Sequence, residues 1–235
     1  MPVANGIIRN RAIVTLCALA VLVTGAALTT APSTSPSSSA KFEKEIAAFE
    51  ASDRDHPPPK DAVLFVGSST IRLWKTLAED FAPHAVINRG FGGSEMIDSA
   101  YFADRIVIPY RPRMIVVFAG SNDINAGKTP EQVLADYHAF VEKVRAALPD
   151  VRIAYLSIAP CPSRWSQAEE QMKANHLIRD FAKSGKKLDY IEVWDQLLGP
   201  DGKPRADLYL EDGLHPNAEG YKIRAAAIRP LLDER

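Results

Sequence analysis

Five short apolar runs constrain the fold of this chain more than any other feature. They are 63–66 (VLFV), 85–87 (AVI), 114–118 (MIVVF), 153–158 (IAYLSI) and 190–193 (YIEV). Each is shorter than a stable helix, and most lack the polar alternation of a strand with one wet face. That pattern predicts strands buried on both faces, as in a parallel sheet. Helical patterns fill the gaps. Residues 41–55 place Phe42, Ile46 and Phe49 on one stripe, and the HPPP of 56–59 stops that helix. Thr129 with Pro130 and Gln132 forms a capping-box start, followed by an apolar face of Val133, Leu134, Tyr137, Phe140, Val141 and Val144. A last helix begins near Asn217, with Tyr221, Ala225 and Ile228 on one side. Lys222, Arg224 and Arg229 read as its solvated face, and Pro230 as its end or a kink, with Leu231 and Leu232 packing beyond. Strands alternating with helices predict an α/β fold, a doubly wound three-layer α/β/α sandwich around a five-stranded parallel sheet.

The chain has 235 residues, 46% apolar and 24% charged, with a formal charge of −1. That balance supports one well-buried domain plus an accessory segment, and offers no field to recruit nucleic acid or an acidic membrane surface. The accessory segment is N-terminal. Arg9 and Arg11 precede an apolar run over 12–28, then small residues and a tract rich in Ser, Thr, Pro and Ala up to Ala40. A basic start, an apolar middle and a small-residue exit mark a secretory signal. Residues 1–31 are read as a signal peptide or N-terminal membrane anchor, 32–40 as a Ser/Thr/Pro-rich linker and 41–235 as the folded domain. The protein is expected to be exported, periplasmic or secreted. The run 12–28 is slightly short of the ~20 residues that span a bilayer comfortably, so a membrane tether stays open beside cleavage. Of the two cysteines, Cys17 lies in the apolar run, and its removal would leave Cys161 without an internal partner. Cys161 reads as a small buried hydrophobe. The sequence leaves the oligomeric state open.

In open α/β sheets, functional groups gather beyond the carboxyl ends of the strands. After the first predicted strand comes Gly67-Ser68-Ser69-Thr70, and after the second Asn88-Arg89-Gly90-Phe91-Gly92-Gly93-Ser94. Gly120-Ser121-Asn122-Asp123 follows the third, and Asp212-Gly213-Leu214-His215-Pro216-Asn217 lies beyond the fifth. One sheet edge is thus expected to collect a hydroxyl, glycine amides, a carboxamide and an Asp/His pair, the groups needed for acyl transfer. A serine hydroxyl is a weak nucleophile until a base removes its proton, and histidine is the usual base near neutral pH. A carboxylate fixes the imidazole's tautomer and stabilises its cation, and Asp212 lies within one turn of His215. The amides of Gly93 and Ser69 and the side-chain NH2 of Asn122 are candidate donors to the oxyanion of a tetrahedral intermediate.

Each of these residues has a plainer account when taken alone. Ser69 is a helix-capping type at a strand end, Asp212 a turn residue, and Gly90, Gly92 and Gly93 serve backbone turns. Asn122 could stabilise its loop, and Asp123 reads as a loop-stabilising side chain. Their joint order along successive strand ends is what favours chemistry. A conventional α/β-hydrolase elbow, Gly-x-Ser-x-Gly, is absent, because Thr70 and Ile71 follow Ser69. A flavin- or nucleotide-binding module would use Gly90 to Gly93, but no Gly-x-Gly-x-x-Gly or Gly-Lys-Ser/Thr pattern occurs.

The blocks GSST, GFGGS, GSND and DGLH, in this order, resemble the four signature blocks of the SGNH hydrolase superfamily, the GDSL-like esterases and lipases. The resemblance covers residues 63 to 217. It implies a flavodoxin-like α/β/α fold, no metal or organic cofactor, and ester substrates, either small molecules or glycan and lipid esters. It places Ser69 at the nucleophile, Gly93 and Asn122 at the oxyanion donors, and Asp212 with His215 at the Asp-x-x-His pair. Ser68 departs from the commonest pattern, which has Asp before the nucleophile. The segment 158–165, ending in Ser163-Arg164-Trp165, is similar to a proline-containing loop of some bacterial members and carries no substrate assignment. The expected activity is hydrolysis of carboxylic esters through an acyl-enzyme. An acyltransferase using the same site, or a non-catalytic flavodoxin-like envelope binding domain, remains as an alternative.

Overall fold

The computed structural model describes Met1 and residues 39–233. All but Met1 belong to one unit, Pro32–Arg235. The apolar run 12–28, read as a signal or anchor, lies outside the described residues. Among the described residues no helix is long and apolar enough to cross a membrane.

Five strands form one parallel sheet: β1 (Val63–Gly67), β2 (Val86–Gly90), β3 (Met114–Phe118), β4 (Arg152–Leu156) and β5 (Leu188–Ile191), in the spatial order β2-β1-β3-β4-β5. The expected α/β class and three-layer architecture are observed. Side chains of adjacent strand residues enter opposite cores, as the two-residue period of a strand requires. Leu64, Val66, Ile115 and Val117 pack on one face; Val63, Phe65, Val116 and Phe118 pack on the other. The first face is covered by α1 (Glu43–Asp55), through Ile46, and by two long helices defined below. Two single-turn helices, α2 (Ser69–Arg72) and α3 (Leu77–Asp80), follow β1, and α4 (Met96–Tyr101) and α5 (Ala103–Ile106) follow β2. Beyond β3 come α6 (Ser121–Asn125) and α7 (Pro130–Ala147), and beyond β4 comes α8 (Ala168–Ser184). The capping box of α7 is formed as expected: the Gln132 amide donates to Thr129 Oγ1, and the Thr129 amide to Gln132 Oε1. Its residues Val133, Tyr137, Phe140 and Val144 join Ala174 and Ile178 of α8 in the first core. The last helix, α9 (Ala218–Asp233), covers the second face with Tyr221, Ala225, Ile228 and Leu232.

Three details differ from the sequence expectation. Packing begins at Ser39, which falls in the predicted linker; it is buried and donates its hydroxyl to Asp98 at 2.6 Å. Helix α9 runs through Pro230 to Asp233, since a proline this near the end removes little of the helical hydrogen bonding, and Leu232 gains a buried site. Arg224 is not solvated: it is 1% exposed and donates to the Gly220 carbonyl at 2.7 Å. It stands three residues after Tyr221 and four before Ile228, so helical geometry places it on the apolar stripe, where its long stem can be covered.

Candidate active site

Ser69 opens α2 at the carboxyl end of β1, and the turn that delivers it depends on Gly67. That residue has φ +138, and a Cβ there would lie 1.9 Å from the Phe118 carbonyl oxygen, which accepts the Ser68 amide at 3.0 Å. Only a residue without a side chain lets the ends of β1 and β3 approach this closely. Ser68 caps α2 in an extended conformation, buried and without a side-chain capping bond. The half-buried Ser69 is braced from the next residue, whose carbonyl accepts the Tyr221 hydroxyl of α9 at 2.9 Å.

His215 Nε2 lies 2.9 Å from Ser69 Oγ, and His215 Nδ1 lies 2.5 Å from Asp212 Oδ2. The other oxygen of Asp212 accepts the amides of Leu214 at 2.8 Å and His215 at 2.9 Å, a turn that the short Asp side chain closes on its own backbone. Desolvation pushes the Asp212 carboxyl up, but the hydrogen bonds from the His215 ring and from these two amides outweigh it and hold its pKa at about 2. With the Nδ1 proton engaged by this carboxylate, Nε2 presents its lone pair to the serine hydroxyl.

Asn122, in the first turn of α6, donates from Nδ2 to the Ser94 carbonyl at 2.9 Å and accepts on Oδ1 from Arg164 Nη1 at 3.0 Å. It shares with Ser69 the wall of a small cavity of about 20 Å³, together with Arg164, Tyr209, Leu214 and Arg224. Gly93 is exposed on the turn between β2 and α4, at φ +75, where a Cβ would meet nothing within 4 Å. The backbone conformation, rather than crowding, calls for glycine there. Its neighbour Ser94 is the acceptor of Asn122. The structure thus joins Ser69, His215 and Asp212 by direct hydrogen bonds and sets Asn122 with Ser69 on the wall of one small cavity. Gly93 sits on the adjoining turn.

Two residues of the site escaped the sequence reading. Arg164 belongs to the Ser-Arg-Trp segment, but its contacts with Asn122 and Ser121 cross more than forty residues and leave no local signal. Arg224 reads from the sequence as part of a solvated face, whereas it is buried and lines the cavity. Trp165 is half-buried and packs on Trp194, ring centroids 6.3 Å apart. Cys161 is buried as expected, and burial pushes its thiol pKa up. Among the described residues no group of three or more His, Cys, Asp or Glu is arranged to hold a metal ion.

Residues 65–223 match the model of the GDSL-like Lipase/Acylhydrolase family. No curated protein matches the sequence. Solved structures are similar in fold. A Streptococcus pneumonia protein provisionally described as a platelet activating factor superposes with a TM-score of 0.72 at 22% identity, covering 82% of this chain and 94% of that one. A GDSL-like lipase from Bacteroides thetaiotaomicron gives 0.65 at 21% identity, covering 84% and 98%. A variant of an acetyl-xylooligosaccharide esterase from Geobacillus Stearmophilus gives 0.62 at 13% identity, covering 76% and 96%.

Proposed function

Since this chain belongs to the GDSL-like lipase/acylhydrolase family and is an ester-hydrolysing enzyme, we propose that it is an exported serine esterase with Ser69 as nucleophile, removing small acyl groups from carbohydrate-borne esters. The observation that carries this reading is the continuous hydrogen-bonded line from Asp212 through His215 to Ser69 Oγ, at 2.5 and 2.9 Å. His215 takes the serine proton as Oγ attacks the ester carbonyl, and Asp212 stabilises the imidazolium that results. The oxyanion is received by the amides of Ser69 and Gly93 and by the Asn122 Nδ2 hydrogen not given to Ser94. His215 returns its proton to the leaving alcohol, and a water activated by the same imidazole then releases the acid from the acyl-enzyme.

The substrate class rests on likeness of fold. Proteins of similar fold include an acetyl esterase and an acetyl-xylooligosaccharide esterase. Export rests on Arg9, Arg11 and the apolar run 12–28.

A fluorophosphonate probe should modify the purified protein at one site, and mass spectrometry of the peptides should place the adduct on Ser69. An adduct on another serine, or none on protein that hydrolyses p-nitrophenyl acetate, overturns the assignment. Acetate release from acetylated xylo-oligosaccharide, with little turnover of long-chain p-nitrophenyl esters, checks the substrate class. N-terminal sequencing of protein recovered outside the cytoplasm of an expressing cell checks export.

A further inference from the structure

Arg164 makes two side-chain contacts that the proposed mechanism does not yet use. Its Nη1 donates to Ser121 Oγ at 2.8 Å and to Asn122 Oδ1 at 3.0 Å. Both acceptors are uncharged, on adjacent residues of α6. A half-buried guanidinium is costly to desolvate, and burial pulls the Arg164 pKa down, so the residue sits here against its own solvation preference.

The consequence lies in the carboxamide. A side-chain amide can be turned end for end with little change of shape, and its two orientations present opposite groups. With Oδ1 held by a cation that can only donate, and Nδ2 held by the Ser94 carbonyl, which can only accept, both ends of Asn122 specify one orientation. In that orientation Nδ2 keeps one hydrogen that Ser94 does not take, on a residue that shares a cavity wall with Ser69. The flipped amide would place Nδ2 against the guanidinium and Oδ1 against the Ser94 carbonyl, two repulsive contacts at once. A charge on the acceptor end also polarises the amide and makes its N–H groups stronger donors.

We propose that Arg164 is a positioning residue for the oxyanion hole, which locks and polarises the Asn122 carboxamide so that its free N–H meets the charge developing in the transition state. This rests on the serine-esterase reading above. The segment that carries Arg164 is itself fastened to the base: the Ser163 amide donates to the Gly213 carbonyl at 3.1 Å, between Asp212 and His215. One loop therefore touches both the donor side and the base side of the site.

The test is a double-mutant cycle on p-nitrophenyl acetate hydrolysis with Arg164→Met, Asn122→Ala and the pair. Arg164→Met keeps most of the stem while removing the donors. It should lower kcat on the order of 10- to 10²-fold at nearly unchanged KM, below the 10²–10³-fold typical of deleting an oxyanion donor outright. In the Asn122→Ala background the same change should cost less than about threefold, because the group it positions is gone. Arg164→Lys, which keeps the charge and a single donating nitrogen, should recover part of the loss, and it serves for the cycle should the Met variant not fold. Full additivity of the two substitutions, or an effect confined to KM, overturns the role; the latter would mean that Arg164 contacts substrate directly. Wild-type protein that fluorophosphonate does not label at Ser69 removes the esterase reading and this role together. Normal labelling with unchanged kcat in Arg164→Met removes the role alone.

Discussion

Asp123 receives the backbone amide of Met96 on both of its carboxylate oxygens, each at 3.1 Å. It also accepts the Gly120 amide at 3.0 Å and the Lys128 ammonium at 3.1 Å, and Lys128 reaches on to Glu95 at 2.8 Å and Asp136 at 2.7 Å. One fully buried carboxyl thus ties the first residue of α4, three beyond Gly93, to the turn that carries Asn122. The relative placement of the two proposed oxyanion donors outside the nucleophile turn is set beneath them, by groups no substrate would touch.

That burial makes a pH-dependent prediction. Desolvation pushes the Asp123 carboxyl up to about 6, against the opposing pull of Lys128 and the Met96 amide. In an unfolded chain an aspartate titrates near ~3.9. Between those values the native state holds a proton that the unfolded state has released, so this group's contribution to stability falls as pH rises from ~4 to ~6. Asp123→Asn cannot titrate. Urea unfolding across the window should therefore show the stability of wild type relative to the variant dropping by on the order of 3 kcal/mol. A difference that stays constant would mean that Asp123 is ionised throughout.

The sequence revealed the strands wherever their composition was extreme, and the nucleophile block followed from the end of β1. It misplaced the edge strand: the expected run was 190–193, whereas β5 is Leu188–Ile191. An edge strand is only half covered, its Leu188, Asp189 and Tyr190 are part-exposed, and the fully buried Val193 lies beyond it. The order of the four blocks was legible because parallel strands deliver their carboxyl ends to one edge. The supports beneath them were not. Arg164 to Asn122, Asp123 to Met96 and Tyr221 to Thr70 link residues far apart in the chain, and neither periodicity nor spacing encodes such pairs.

Ser69→Ala tests the nucleophile by the least disruptive change available. The hydroxyl pairs with the His215 ring, so its loss breaks no backbone support. Hydrolysis of p-nitrophenyl acetate should fall by at least ~10⁴-fold, while circular dichroism and the thermal midpoint stay near wild type. Retained turnover in a folded variant would disprove the assignment.

Asp212→Asn separates geometry from charge. The carboxamide can still accept the two backbone amides that Oδ1 accepts, but it offers no carboxylate to the imidazolium. By analogy with other triads kcat should drop by as much as ~10⁴-fold with the fold intact. The carboxyl is held at about 2, below its unfolded value. Its stabilising contribution is therefore present above pH ~4 and lost as pH falls towards 2. With 46% of the side chain exposed, solvent screening keeps that contribution small. The variant should thus be distinguished by rate and hardly at all by its unfolding midpoint at neutral pH.

Gly67→Ala addresses the turn that delivers the nucleophile. A methyl group at this position would stand 1.9 Å from the Phe118 carbonyl oxygen, on a backbone at φ +138 that side chains rarely adopt. Relief requires the ends of β1 and β3 to separate, which breaks the Ser68 to Phe118 hydrogen bond and shifts Ser69 away from His215. Overpacking and backbone strain together should cost on the order of 2–5 kcal/mol. Gly127→Ala is the matched control: it has φ +93 but open space around its Cβ, so it carries the backbone cost alone. Urea unfolding should rank Gly67→Ala as clearly the more damaging, and any folded fraction should have lost activity out of proportion to its stability. Equal effects of the two substitutions would mean that the strand ends can part freely, and that the position of Ser69 is held by something other than this contact.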